Sequence, residues 1–156
     1  MLYGCKFFVP YLKQAEEAHI VNLSSVFGLL GVPEQTSYCA TKFAVRGLSE
    51  ALWVELKQYN IGVTSVHPGG VRTNIAKSAR TANEETKTRA IDVIERFSVP
   101  PERAAKLIVG AIKKNKMRQM VARESYAIDW AKRISPGLPQ RLLQRGYSSV
   151  PPKGKE

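Results

Sequence analysis

Tyr38 and Lys42 stand one helical turn apart in the stretch QTSYCATKFAVRGLSEALWVELKQY, residues 35–59. Side chains at i and i+4 of a helix share a face, so both could reach one small molecule. Cys39, Ala40 and Thr41 between them are small, which would let a flat ligand lie close to the backbone. A phenol titrates at about pH 10 and is a poor acid or base near neutrality, but an ammonium beside it favours the phenolate. The pair is therefore a candidate proton-transfer device. The same spacing also occurs on solvent-facing helices, so the elements around the pair must decide between the two readings.

Those elements alternate between two periods. HIVNLSS at residues 19–25 is a compact apolar run ending at a serine pair and reads as a short buried strand. Ligands of an open parallel α/β sheet bind beyond the carboxyl ends of its strands, where Ser24 and Ser25 would stand. Of the two, Ser24 reads better as a turn cap. VFGLLGVPEQTS, with two glycines and a proline, is the loop into the helix. A helix over 37–58 would bury Val45, Leu48, Leu52 and Leu56 as one stripe, with Ala44 and Ala51 allowing a close approach to the sheet. IGVTSVH at residues 61–67 reads as the next strand, and the Pro68-Gly69-Gly70 that follows would leave backbone N–H groups at the ligand edge or simply make a tight turn. Before all of these, residues 2–15 suit an amphipathic helix bent at Pro10.

Composition bounds what such a chain can be. Its 156 residues, 44% of them apolar, fit one domain with a core. The early apolar stretch from Phe7 to Leu12 is broken by Pro10 and lacks the flanks of a secretory signal. Cys5 and Cys39 have no partners at metal-ligand spacing and make no disulfide framework, which points to a reducing, cytoplasmic setting. Charge is uneven: residues 1–71 are neutral, whereas residues 72–145 carry 17 Lys/Arg against 7 Asp/Glu. The basic residues fall singly along helices without interleaved aromatics, so nucleic acid is not expected and a basic surface is the plainer reading.

Three motifs in order, Asn22-Leu23-Ser24-Ser25 with Gly28, Tyr38-Cys39-Ala40-Thr41-Lys42, and Pro68-Gly69-Gly70-Val71-Arg72-Thr73, resemble the short-chain dehydrogenases/reductases. The resemblance covers residues 2–123. It implies a doubly wound, Rossmann-like parallel α/β sheet with flanking helices and an NAD- or NADP-dependent conversion between an alcohol and a carbonyl. It also implies roles. Ser25, 13 positions before the tyrosine, would orient the substrate oxygen. Tyr38 would be the general acid/base, and Lys42 would hold the nicotinamide ribose and favour the phenolate. The segment from Pro68 to Thr73 would line the nicotinamide, with Gly69 in its wall and Val71 and Thr73 near the carboxamide. No metal is implied, and the complete enzyme would be a homo-oligomer.

The departures matter as much. No Gly-x-x-x-Gly-x-Gly precedes residue 19, no Asn-Asn-Ala-Gly stretch occurs, and Met1 stands where the family has a catalytic asparagine. The chain is thus expected to correspond to the C-terminal half of such a domain over 1–123, a partial sheet lacking the pyrophosphate-binding unit. Residues 74–99 would be the substrate lid. Pro100-Pro101-Glu102 would open a helix running through Asn115 with Ala104, Ile108, Ala111 and Ile112 on one face, and Met117 to Ala122 would be the last strand. Residues 124–147 read as a basic, helical extension with Tyr126, Trp130, Ile134 and Leu138, interrupted at Pro136-Gly137; these aromatics suit packing, with a membrane surface or partner helix as the sharper alternative. Residues 148–156 have the composition of a disordered tail. Two other functions stay open on the sequence, a silent scaffold and a basic binding module.

Overall fold

The computed structural model of the chain describes residues 1–73 and 98–148, so the expected lid (74–97) and most of the expected tail (149–156) lie outside the described residues. The elements are α1 (Leu2–Leu12), β1 (Ala18–Leu23), a 3-10 turn (Val26–Gly28), α2 (Thr36–Glu55), a second 3-10 turn (Lys57–Tyr59), β2 (Ile61–His67), α3 (Pro101–Lys113), β3 (Arg118–Met120), α4 (Arg123–Ile134) and α5 (Leu138–Ser148). The three strands form one parallel sheet in the order β1-β2-β3. Parallel neighbours need crossovers, and helices supply them, α2 between β1 and β2 and α3 between β2 and β3.

All seven residues of β2 are buried because both of its faces are covered. Ile61 and Val63 meet Val9 and Leu12 of α1 and Leu52 and Trp53 of α2 on one face. Val66, on the other, meets Ala104, Leu107 and Ile108 of α3. Helices on both faces make this the doubly wound arrangement. β1 is less buried than its apolar run suggests: among the described residues it pairs with β2 alone, and Leu23 is 55% exposed.

The sheet-facing stripe of α2 differs from the expected one. Leu56 is in the core and Leu52 packs against it, but Ala44 and Ala51 face outward, and the contact with the sheet is made by the buried Ser49, while the buried Cys39 faces the loop before the helix. Ser49 is there because the sheet is polar at that point: Asn22 Nδ2 donates to Ser49 Oγ (3.0 Å), which donates in turn to the Val45 carbonyl (2.7 Å). A hydrophobic-stripe reading passes over a small residue whose burial is justified by a hydrogen bond.

Beyond β3, Pro136 and Gly137 break the chain into the α4–α5 hairpin as expected. The hairpin is fastened to the loop before α2 by Gln140 Nε2 donating to the Gly31 carbonyl (3.3 Å) and by Tyr147 Oη on Glu34 Oε1 (3.5 Å).

Candidate active site

The chain leaves β1 without leaving the sheet at once. Ser24 N donates to the Val66 carbonyl and Val26 N to the Pro68 carbonyl, both at 2.8 Å, so Ser25 is carried along the end of β2. The turn cap expected of Ser24 is made by Ser25, whose Oγ accepts from Phe27 N of the 3-10 turn at 3.2 Å. Ser24 Oγ instead donates to the Lys42 carbonyl at 2.8 Å and ties the strand exit to α2. That tie needs Gly28 beneath it: a Cβ there would lie 2.8 Å from the Lys42 carbonyl oxygen. Capping uses only a lone pair of Ser25 Oγ, so its hydrogen remains available to a ligand.

Tyr38 lies in the first turn of α2, 43% exposed, with its ring edge-on to Phe27 at 6.0 Å between centroids. Ser25 and Tyr38 are thus joined through Phe27, whose amide is held by one and whose ring packs on the other. Lys42 Nζ stands 5.4 Å from the Tyr38 ring centroid and donates to the Leu23 carbonyl at 3.0 Å. That carbonyl belongs to the last residue of β1, so strand end, ammonium and phenol form one cluster. Burial pushes the Lys42 pKa down from the ordinary lysine value. An ammonium has three donors, and the Leu23 carbonyl occupies one of them.

The segment from Pro68 to Thr73 runs past this cluster, and only part of it is open. Val71 pairs with Val99, and its side chain packs into the Val66–Ala104 cluster. Arg72 N donates to the Val99 carbonyl at 3.0 Å and is not open to a ligand. Pro68 and Gly69 are half-buried and Thr73 is exposed. A Cβ on Gly69 would displace the Glu124 carboxylate and crowd Ala122 Cβ at 3.2 Å.

His67 was not singled out by the sequence. It is fully buried, with Nδ1 3.0 Å from the Ser25 carbonyl oxygen and Nε2 3.0 Å from Ser65 Oγ. A carbonyl can only accept, so Nδ1 carries the proton and Nε2 accepts from the Ser65 hydroxyl. Burial pushes the His67 pKa down, against the raising effect of the Ser25 bond. An imidazole ending a short strand that otherwise carries no titratable residue was the available signal.

The described residues therefore suit one end of an elongated ligand: a phenol, an ammonium with free donors and a serine hydroxyl at the carboxyl edge of a parallel sheet. No group of three or more metal-ligating side chains occurs among the described residues.

Comparison with known proteins agrees with this geometry. Residues 1–84 match the family model described as short chain dehydrogenase. The chain is 40% identical over 156 residues to the Mycobacterium tuberculosis protein SadH, covering 97% of this chain and 56% of that one. It is 30% identical over 139 residues to the uncharacterized oxidoreductase YbbO of Escherichia coli, covering 87% and 52%. A solved short chain dehydrogenase/reductase from Burkholderia phymatum, in complex with NAD, matches at a TM-score of 0.76 and 25% identity over 88% of this chain and 55% of its own. The chain spans about half the length of the relatives it matches.

Proposed function

Because the chain belongs to the short-chain dehydrogenases/reductases, we propose that it carries the proton-transfer half of an NAD(P)-dependent oxidoreductase that interconverts an alcohol and a carbonyl. The observation that carries this reading is the placement of the Lys42 ammonium, 3.0 Å from the Leu23 carbonyl and 5.4 Å from the Tyr38 ring, at the strand exit where Ser25 follows. The nicotinamide, when bound, supplies or accepts the hydride. Everything else falls to the side chains. Ser25 donates to the substrate oxygen and fixes its orientation. Tyr38 delivers its hydroxyl proton to that oxygen during reduction and takes the proton back during oxidation. Lys42 stabilises the phenolate that results and turns its remaining donors to the ribose hydroxyls. Pro68, Gly69 and Thr73 would line the nicotinamide, with Val71 contributing backbone alone because its side chain packs in the core.

The same reading makes the complete enzyme a cytoplasmic homo-oligomer. Supporting it, Cys5 and Cys39 are free and buried, and α1 exposes Tyr3, Phe7, Phe8 and Tyr11 together. No helix among the described residues is long and apolar enough to cross a membrane.

The test is Tyr38→Phe in this chain preceded by the N-terminal half of SadH. Turnover is expected to fall by roughly 10²- to 10⁴-fold, with cofactor affinity nearly unchanged. Turnover within about threefold of the parent, less than general acid/base transfer contributes, would remove the assignment.

A further inference from the structure

A cleft of about 730 Å³ separates the loop after Ser25 from the α4–α5 hairpin. Its walls are Leu30, Val32 and Pro33 on the loop side and Ile128, Ala131 and Leu142 on the hairpin side. We propose that this cleft holds the hydrocarbon chain of the substrate, so that the alcohol or carbonyl compound is a long-chain, lipid-like molecule. The proposal rests on the oxidoreductase reading and adds the substrate class.

Volume and chemistry agree. The cleft falls within the about 300–1,000 Å³ usual for small-molecule sites, and Glu34 is its one charged lining residue. Glu34 is met there by the Tyr147 hydroxyl, so the interior offers almost nothing to a polar ligand. An apolar space of this size, left between packed elements, would ordinarily be closed by the hydrophobic effect. Here the hairpin is fixed at a distance by the Gln140–Gly31 and Tyr147–Glu34 contacts, and Leu138 and Leu142 stay 49% and 57% exposed although both line the cleft.

The loop that walls the cleft, Leu30 to Glu34, is the one that joins Ser25 to Tyr38. A second hollow of about 470 Å³ shares Val32, Pro33, Leu143 and Tyr147 with it and is bounded by Thr36 and Cys39, on either side of Tyr38 in the sequence. Cys39 Sγ holds the intervening loop, accepting from Val32 N at 3.4 Å. A molecule whose tail occupies the cleft would therefore bring its oxygen-bearing end toward the first turn of α2. The first cleft offers no cation to an acidic group, Glu34 being its one charged lining residue, so it suits an uncharged chain whose hydroxyl or ketone is left for Ser25 and Tyr38.

The experiment needs no turnover. The 156-residue chain is loaded with the neutral fluorescent polyene diphenylhexatriene, which is displaced by 2-alkanones of four to twelve carbons. Affinity is expected to rise by roughly two- to fourfold per added methylene, as burial of a CH₂ predicts. Ala131→Phe, which fills the cleft, and Leu142→Glu, which charges it from a half-exposed position that folding tolerates, should each weaken dodecan-2-one at least about tenfold, with unchanged circular dichroism. Affinity independent of chain length, or both variants binding like the parent, would overturn the proposal. The two readings fail separately. Length-dependent binding with turnover retained in Tyr38→Phe removes the catalytic assignment and leaves an apolar-chain site, while turnover lost in Tyr38→Phe beside length-independent binding removes the cleft alone.

Discussion

His67 Nδ1 donates to the carbonyl oxygen of Ser25 across 3.0 Å, from the last residue of one buried strand to the residue that closes the neighbouring strand's exit. Together with the Val26–Pro68 backbone bond at 2.8 Å, it holds the serine and the start of the Pro68–Thr73 wall as one unit. The imidazole thus fixes where the candidate substrate-orienting hydroxyl stands, without needing to touch a ligand.

This bond has a pH signature. Burial lowers the His67 pKa in the folded state, so between that value and the unfolded value of about 6.5 the unfolded chain binds the extra proton. The stability contribution is therefore fully present above about pH 6.5 and is lost as pH falls below it, by at most about 1.4 kcal/mol per pH unit for one proton. His19, also lowered by burial, acts in the same window and the same direction. Urea midpoints taken from pH 7.5 to 5.5 should fall. His67→Asn, which keeps a donor for Ser25 but cannot titrate, should flatten the slope, and an unchanged slope would show that His67 is not its source.

Lys42→Met should weaken cofactor binding and move the rise of alcohol oxidation to higher pH, because the charge that favours the phenolate is gone. The parent carries its own alkaline limit. Burial pushes the Lys42 pKa below that of an ordinary lysine, so the ammonium discharges early and cofactor affinity should decline as pH rises toward 10. Rate profiles of the two proteins, each completed with the SadH N-terminal half, check this. Superimposable profiles would reduce Lys42 to a tether for the Leu23 carbonyl.

Gly28→Ala should damage stability and activity together. Its Cβ would stand 2.8 Å from the Lys42 carbonyl oxygen, where Ser24 Oγ already donates. Relieving that overlap shifts α2 from the strand exit at a cost of about 1–3 kcal/mol. Denaturant titration reads the loss, and an unchanged midpoint would mean that α2 is not held there by close packing.

The 156-residue chain by itself should bind NAD(H) and NADP(H) weakly and self-associate. Tyr38, Lys42 and the Pro68–Thr73 wall would grip only one end of either cofactor, since the glycine turn and helix N-terminus that bind pyrophosphate in this fold are not encoded in these residues. Among the described residues β1 is paired on one side only, and α1 exposes Phe7 and Phe8 at 62% and 65%. Calorimetric titration and light scattering decide it: low-micromolar binding by a monomer would require a dinucleotide site elsewhere.

The sequence by itself determined the elements and the order of their chemistry. Period-2 and period-3.6 patterns are local, so β2 emerges over Ile61–His67 with the boundaries read from its residues, and the Tyr38–Lys42 spacing places both side chains on one face of α2. The order and separation of three motifs, ending at Ser25, Lys42 and Thr73, carried the family resemblance in the same way. Tertiary structure decided what those patterns cannot encode, namely which group meets which partner. Ser24 and Ser25 are chemically identical neighbours, and only the approach of Lys42, 18 residues on, ties Ser24 to α2 and leaves the local cap at Phe27 to Ser25. Ser49 faces the sheet instead of Ala44 or Ala51 because Asn22 offers it a hydrogen bond from another element. The apolar cleft exists because Gln140 reaches Gly31 from 109 residues away. Contacts at such separation depend on how whole elements pack, and no periodicity along the chain records them.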